Sequence, residues 1–256
     1  IVWGVLPGGR MAMTVVFINL VFKLIFNSPI RWNRVGTLIT HSGMLLLLLG
    51  GFFTAYFSNE GSMPIPEGQT SSYYQDYHEL EFAVIDKSPR DYDSVTAFNR
   101  DYIKEGAVIS DADFPFTIRL EKFYRNVDII RREPNVTEGV HGLAQRFEFG
   151  AKKLENEFSQ NMGGMVLNIE GLDGDSDGTY MVFQFMQVPQ TVSAGGKEYI
   201  IELRNKRYQL PFAIELIDFT KKVHPGTQTA SHYSSLVNVV SGGIKREVLI
   251  SMNEPL

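Results

Sequence analysis

The stretch VGTLITHSGMLLLLLGGFFTAYF, from Val35 to Phe57, decides the class of this protein. It holds 23 residues without a formal charge. A membrane-spanning helix needs about 20 predominantly apolar residues, each adding about 1.5 Å of length. A helix of this length in a soluble protein normally carries a polar stripe, and this stretch shows none. The sequence therefore predicts a transmembrane helix over residues 35–57.

A second apolar stretch, Met11–Phe26, precedes the first. Lys23 lies near its end, where a long side chain can reach the membrane interface. With Asn27 and Ser28 included, the stretch is long enough to cross, and we predict a span over about residues 11–28. It is not a cleavable signal peptide, because no small-residue cleavage site follows it.

The loop between the two predicted spans, residues 29–34, sets the orientation. It contains Arg31 and Arg34, and short basic loops stay on the cytoplasmic side. Arg10, just before the first span, is a single charge that favours the opposite orientation. We therefore expect a transmembrane region at residues 1–58 and an extracytoplasmic domain at residues 59–256. The chain starts at Ile1 instead of Met, so we expect it to be part of a longer protein.

Charge is distributed unevenly along the chain. The net charge is −5, yet residues 1–58 contain four basic residues and no acidic one. The other 20 of the 24 basic residues and all 29 acidic ones follow, so the expected outer domain carries −9. This balance excludes a basic nucleic-acid-binding domain, and we expect no nucleic-acid partner. The absence of cysteine excludes disulfides, thiolate metal sites and a cysteine nucleophile.

The acidic part of the chain predicts an all-β domain. Alternating apolar and polar residues, with Gly, Pro, Asn and Asp between the segments, are typical of short strands in a sandwich or barrel. Residues 154–162 fit either a short helix or a loop. The predicted strands are His78–Asp86, Phe114–Phe123, Gln145–Phe149, Met165–Glu170, Tyr180–Gln187, Tyr199–Leu203, Leu210–Phe219 and Glu247–Met252.

One segment is repeated: FPFTIRLEKF at Phe114–Phe123 aligns with LPFAIELIDF at Leu210–Phe219. Two interpretations remain open. Both segments start a strand in the same way, because proline suits the first position of a strand. Alternatively, they mark two related β units within one elongated domain.

His41 is the main candidate for chemistry. It lies inside the predicted outward-running span, about 10 Å beyond Arg34. A titratable side chain in a membrane span is costly and therefore a functional candidate, as a ligand or proton relay. A structural histidine, satisfied by a hydrogen bond, is the alternative. Ser42 and Gly43 follow it, and small residues let another helix or a flat ligand approach closely.

The outer domain holds weaker candidates. Asp173, Asp175 and Asp177 match the opening of a calcium loop, but Gln184 stands where a bidentate Glu is expected and the context favours a solvated turn. Four histidines show no helical metal spacing and are interpreted as surface or turn residues: His78, His141, His224 and His232. Asn135-Val136-Thr137 matches a glycosylation acceptor.

Two ends of the chain resemble the ResB family, also called CcsB, of system II cytochrome c biogenesis. At the first end the similar residues are Trp32–Gly36, Thr40–Gly43 and Leu45–Gly50, followed by Gly61–Gly68. At the other end they are Leu210–Phe219, His224–Thr227, Tyr233–Ser235 and Met252–Leu256. The middle, residues 86–206, is similar only in order and composition.

The resemblance implies a haem-handling membrane protein of a bacterial inner membrane or a thylakoid-like membrane, in contact with membrane lipid. In this family the protein works with a CcsA-type partner, carries haem b outward and presents it to apocytochrome c. The histidine of the family's third span is implicated as an axial haem ligand, a role that maps onto His41. The large outer domain is then expected to help dock the partner or the apocytochrome.

The chain also departs from the family's complex. The partner's tryptophan-rich haem motif has no counterpart here, because the chain holds only Trp3 and Trp32. The resemblance therefore implies a subunit of a synthase without catalytic residues of its own. Two of the family's four spans are found, and the final span is expected after Leu256. The alternatives are a membrane-anchored β-domain scaffold without haem and a calcium-stabilised binding module.

Overall fold

The computed structural model of the protein describes residues 9–27, 35–89, 92–133, 138–155, 157–254 and 256. The chain forms two compact units, which divide between Asn59 and Glu60. The first unit is helical, and the second is built of strands.

Two helices form the first unit: α1, Gly9–Asn27, and α2, Val35–Phe57. The helix predicted over residues 35–57 is confirmed, and α1 begins slightly before the predicted residue 11. Ser28 and the loop predicted at residues 29–34 lie outside the described residues. Among the described residues, α2 is the helix that is long and apolar enough to span a membrane, whereas the apolar stretch of α1, Met11–Phe26, is shorter.

Each helix has one half-buried stripe and an otherwise exposed apolar surface. Leu46 and Leu47 of α2 are 68% and 79% exposed. The stripes repeat every three or four residues, as expected for two helices that pack together within this unit. They comprise Phe17, Leu20, Val21 and Leu24 on α1 and Val35, Leu38, His41, Ser42, Leu45 and Leu48 on α2.

The second unit is a β domain, as predicted. Most of its strands belong to a seven-stranded and a four-stranded sheet, and two strands form a separate pair. The strands are β1 Gly61–Ser62, β2 Thr70–Asp86, β3 Ser94–Asn99, β4 Val108–Asp111, β5 Phe114–Tyr124, β6 Val127–Arg131, β7 Phe147–Ala151, β8 Gly164–Glu170, β9 Gly178–Phe183, β10 Gln190–Ala194, β11 Lys197–Val223, β12 Ala230–Ser241 and β13 Ile244–Ser251.

The main core lies between the two larger sheets. The four-stranded sheet has the order β4-β5-β8-β9, and it packs against the end of the larger sheet where β2 pairs with β3 and β11 pairs with β10. Phe116 of β5 meets Tyr199 of β11 edge to face, with ring centroids 5.2 Å apart. Ile118, Leu120 and Leu167 are fully buried in this core. The arrangement is a sandwich whose strand faces alternate as the period-two pattern requires.

β11 continues past the sandwich into an open part of the sheet. Its second half pairs with β12, and β12 pairs with β13. Side chains here are mostly half-buried or exposed, and Val237 and Asn238 are the described residues of β12 and β13 that reach full burial.

The aligned segments 114–123 and 210–219 have different places in the fold. Phe114 begins β5, but Leu210 and Pro211 lie inside β11, so the interpretation that both prolines start a strand is wrong for Pro211. The pairing of β11 with β2 shifts there, between Gln209 opposite Tyr73 and Ile214 opposite Ser71. Proline has no backbone N–H, and it fits here because the irregular pairing does not need a ladder hydrogen bond from this residue.

Several strand bounds differ from prediction. The segments 199–203 and 210–219 are one 27-residue strand, and the strand predicted up to Gln187 ends at Phe183. The sequence analysis missed β1, β3, β4, β6, β10 and β12. Residues 154–162 form a loop with a single 3₁₀ turn at Phe158–Gln160.

Candidate functional site

His41 lies on α2, about 9 Å along the helix axis from Val35. Its Nδ1 atom is 2.7 Å from the carbonyl oxygen of Thr37, one turn earlier. A carbonyl oxygen only accepts hydrogen bonds, so in the neutral ring Nδ1 carries the proton. Nε2 then keeps its lone pair, which is the arrangement of a metal-ligating imidazole whose other nitrogen is fixed by a backbone carbonyl.

The helix around His41 leaves room for a ligand or a second helix. Thr40 donates its hydroxyl to the Gly36 carbonyl at 2.9 Å, so this polar group is satisfied within α2. Apart from its chain neighbours and the nearby backbone of α2, a Cβ atom added at Gly43 would have no described atom within 4 Å. His41 itself is half-buried, at the edge of the stripe, and Met44 beside it is 52% exposed.

These features fit a haem group. A neutral imidazole in apolar surroundings is a suitable axial ligand for haem iron. In such a site His41 would supply Nε2, and the half-buried Leu45 and Leu48 on the same stripe would supply apolar surface. The other helix, α1, contains no histidine, and its two methionines, Met11 and Met13, lie near its first residue.

The Asp-rich segment at residues 173–178 is a turn. The Asp173 carboxylate accepts the N–H groups of Gly195 and Gly196, each at 3.0 Å. Asp177 accepts the N–H of Leu172 at 2.7 Å, and hydrogen bonds from Gly171 and Leu172 hold the pKa of Asp177 below its usual range. The carboxylates of Asp173 and Asp177 therefore already accept hydrogen bonds from backbone N–H groups, which favours the interpretation as a turn over a calcium loop.

Gln184, the twelfth residue counted from Asp173, is fully engaged elsewhere. It is buried, accepts the Gly163 N–H at 2.7 Å and donates to the Asn205 side chain at 2.7 Å. Among the described residues, no three His, Asp or Glu side chains are grouped so that they could hold a metal ion.

The histidines of the β domain lie apart from one another in the strand order. His141 is structural: its Nε2 lies 3.0 Å from the Asp177 carbonyl, and its ring stacks on Tyr180. His224 lies in the turn before β12, and His232 lies on β12 opposite Lys222. The acceptor motif at 135–137 lies outside the described residues.

His78 has different surroundings. It lines a cleft at one end of the sandwich, where its ring meets Phe158 edge to face at 5.3 Å. Arg100 and Arg125 line the same cleft. The sequence analysis missed this group because its members come from separate elements, and no local spacing relates them.

Comparison with known proteins supports the resemblance. Residues 30–148, a little less than half of the chain, match the ResB-like family model. The match includes His41 and continues through the start of β7. A comparison with curated proteins found no match. The resemblance to the ResB/CcsB family is thus confirmed, and it indicates a role in cytochrome c biogenesis at the level of the family.

Proposed function

We propose that this ResB-like protein is a haem-handling subunit of the system II cytochrome c synthase, with His41 as an axial haem ligand inside the membrane. One observation carries the proposal: Nδ1 of His41 donates its proton to the Thr37 carbonyl, which leaves the lone pair of Nε2 available to bind a metal. A purely structural role needs only the first of these two nitrogens. The residues 30–148 matched by the family include this position.

The exposed surface of α2 supports its insertion into a membrane. A 23-residue helix is about 35 Å long, which exceeds a hydrocarbon core of about 30 Å. Four aromatic residues cluster at its end: Phe52, Phe53, Tyr56 and Phe57. Aromatic rings of this kind are enriched at the membrane interface. In the proposal α1 is a second span, and the basic residues Arg31 and Arg34 keep the loop between them cytoplasmic.

The proposed ligand set is completed by a CcsA-type partner. Haem b iron with two imidazole ligands would be held between His41 and a partner histidine, and the bound haem supplies the group to be attached to apocytochrome c. This chain's own contribution is to orient the imidazole, exclude water and offer an apolar surface. We assign the attachment chemistry to the partner.

The acidic β domain is proposed to lie outside the membrane and to attract a basic client. Its net charge of −9 gives a long-range attraction that raises the rate of encounter with a basic apocytochrome. The open sheet of β11, β12 and β13 offers additional surface beyond the sandwich.

Cytochrome maturation in cells tests the proposal. We expect His41→Gly to abolish covalent haem attachment to a reporter cytochrome when co-expressed with the partner, and added imidazole to restore part of it. His232→Ala, which removes a histidine from the outer domain, is the matched control and should mature cytochrome normally. Full activity of His41→Gly without imidazole would refute the ligand role.

A further inference from the structure

Phe185, in the loop between β9 and β10, combines a strained backbone with an exposed ring. Its φ is 63°, a left-handed conformation that aromatic residues rarely adopt. Among the described non-glycine residues only Asn253 shares it, and asparagine tolerates this conformation. The Phe185 side chain is 71% exposed, so burial within the protein does not offset the strain. Residues of this kind persist where the surrounding structure fixes them, often at binding surfaces.

The two neighbours of Phe185 fix it in this position. Gln184 is buried and is bonded to the Gly163 N–H and to the Asn205 side chain, both at 2.7 Å. On the other side, Met186 packs against the main core. With both neighbours anchored, the ring between them is held toward solvent.

A second exposed ring, that of Tyr77, lies on the same surface. Phe185 and Tyr77 line one cavity of about 470 Å³ together with Glu60 and Ser62. Tyr77 is 46% exposed, and its backbone N–H donates to the Glu60 carbonyl at 3.1 Å. Residues 178–196, which include the loop of Phe185, contain no charged side chain. An aromatic surface therefore lies beside the first residues of the β domain.

Arg207 of β11 supplies a cation next to Phe185. The two residues line a second cavity of about 170 Å³, and the Arg207 guanidinium lies 4.6 Å from the centre of the Tyr73 ring. Within the part of the chain that the structure describes, Arg207 has no ion pair, and its buried Nε atom has no hydrogen-bond partner. The other arginine on this cavity, Arg204, is already paired with two glutamates. Arg207 is therefore available to an anion from outside, and guanidinium groups bind phosphates by charge-assisted, frequently bidentate hydrogen bonds.

The chain leads from α2 to this surface within three residues. Only Ser58 and Asn59 separate Phe57, the last residue of α2, from Glu60. Three residues allow at most about 11 Å between the Cα atoms of Phe57 and Glu60. In the proposed topology α2 ends at the extracytoplasmic membrane interface, with its aromatic cluster at the headgroups. The cavity that Glu60 shares with Phe185 is then held close to the lipid headgroups by the chain itself.

We propose that the β domain contacts the bilayer at this surface: Phe185 inserts into the extracytoplasmic leaflet, Tyr77 lies at the interface and Arg207 binds a lipid phosphate. The inference rests on the proposed function, because the membrane position of α2 is taken from it. Aromatic rings beside a cation match the boundary between acyl chains and headgroups. Glu60 and Glu157 line the cavity of Phe185, so a zwitterionic headgroup, which also offers an ammonium group, fits better than an anionic one. Burial of the Phe185 ring in lipid then offsets its strained backbone.

The chain contains no cysteine, so one introduced cysteine can carry a single fluorescent label. The test uses the full chain in phosphatidylcholine nanodiscs, with a nitrobenzoxadiazole dye on Gln187→Cys, which leaves Phe185 in place. We expect lipids with a doxyl group near the headgroup to quench this dye. The same dye on Tyr92→Cys, in the loop after β2 and 68% exposed, should not be quenched. A dye on Leu47→Cys, in the middle of α2, should be quenched by doxyl groups deep in the bilayer.

The Leu47 label separates two kinds of failure. If the Leu47 dye is quenched and the Gln187 dye behaves like the Tyr92 dye, this inference is wrong while the proposed membrane span stands. If the Leu47 dye is not quenched either, the proposed span is wrong and the inference falls with it. A Gln187 dye that is shielded from a water-soluble quencher but not quenched by lipid would show that a protein covers Phe185, which also overturns the inference.

Substitutions in the chain labelled at Gln187 test the two anchoring residues. Phe185→Asn, whose new side chain suits the left-handed backbone, should remove the quenching by lipid, and Arg207→Gln should weaken it. Each has a matched control that should leave the quenching unchanged: Tyr92→Asn removes an exposed ring, and Arg119→Gln removes an exposed cation from β5. Equal quenching in Phe185→Asn and Tyr92→Asn contradicts the insertion of Phe185. Equal quenching in Arg207→Gln and Arg119→Gln contradicts the phosphate contact.

Discussion

Some side chains in this protein form two hydrogen bonds, and Gln184 shows how much such a residue should contribute to stability. Its side chain, which is 3% exposed, accepts a hydrogen bond from the Gly163 N–H and donates one to Oδ1 of the Asn205 side chain. Removing it leaves the buried Gly163 N–H and the half-buried Asn205 Oδ1 without this partner. An unsatisfied buried polar group costs about 1–3 kcal/mol, and a half-buried one costs less.

We therefore expect Gln184→Ala to lower the free energy of unfolding by about 2 kcal/mol. Gln187→Ala, three residues later and exposed, should change it by less than about 0.5 kcal/mol. Thermal unfolding of the full chain in detergent, followed by the circular dichroism of the β domain, measures both. Equal midpoints for the two variants would show that the Gln184 network is not stabilising.

The carboxylate of Asp86 makes stability depend on pH. Hydrogen bonds from Ser88 and then Lys197 lower its pKa from 3.8 to about 2. A carboxyl group with a lowered pKa stabilises the folded state fully above its unfolded pKa, and this contribution disappears as the pH falls toward the folded pKa. The window is therefore from about pH 4 down to about pH 2.

We expect Asp86→Asn to be less stable than the wild-type protein at neutral pH, and the difference to shrink as the pH falls through this window. The difference should be about 1 kcal/mol or less, because the partner Lys197 is largely exposed. Denaturant unfolding at several pH values measures it. A stability difference that stays constant between pH 5 and pH 2 would contradict the assignment.

The long strand β11 shows why some elements escape prediction from sequence. Its two apolar halves were predicted separately, because Arg204–Gln209 between them is polar. In the structure this polar part is held by cross-strand contacts with β2: Arg207 lies 4.6 Å above the Tyr73 ring, and Tyr208 stacks on Tyr74. Such pairs depend on the register of two strands more than 100 residues apart in sequence, which the local pattern does not contain.

The pair of Glu81 on β2 and Arg204 on β11 is the buried part of the same strand contact. The two atoms Oε1 and Nε are 2.8 Å apart, and the side chains are 5% and 12% exposed. Breaking a buried ion pair costs about 3–5 kcal/mol when the remaining charge has no other partner. Arg204 also pairs with the less buried Glu202 at 3.2 Å, so the loss of Glu81 should cost less than that.

We expect Glu81→Ala to destabilise the β domain by about 2 kcal/mol, because Arg204 keeps Glu202 as a partner, and Glu79→Ala, whose pair with Lys206 is more exposed, by about 1 kcal/mol or less. Denaturant unfolding of the two variants compares the pairs directly. A double-mutant cycle with Arg204→Ala measures the coupling, and a coupling near zero would show that the buried pair does not hold β2 to β11.

The helices were easier to predict than the sites. Residues 35–57 carry no charge, so the local sequence alone predicts this helix together with its first and last residues. His41 was found because a histidine stands out among apolar residues. The cleft of His78, Arg100 and Arg125 was not found, because only the folded sandwich brings these residues to one surface.

The whole molecule is divided into a basic apolar part and an acidic β domain, and this division predicts an effect of salt. Attraction between a domain of charge −9 and a basic apocytochrome is screened over about 10 Å at 0.1 M salt and about 3 Å at 1 M. We expect capture of a basic apocytochrome c by the full chain to weaken as salt is raised through this range. An acidic apocytochrome should show no such loss, and salt-independent capture of the basic one would exclude electrostatic docking.

The most direct test of the haem-handling function is a visible absorption spectrum of the full-length protein purified with its CcsA-type partner. The wild-type complex should show a bis-imidazole haem spectrum. His41→Ala should lose or weaken it, and added imidazole should restore it, because free imidazole can occupy the position of the missing Nε2. A haem-free wild-type complex, or an unchanged spectrum in His41→Ala, would contradict the proposal and return His41 to a structural role.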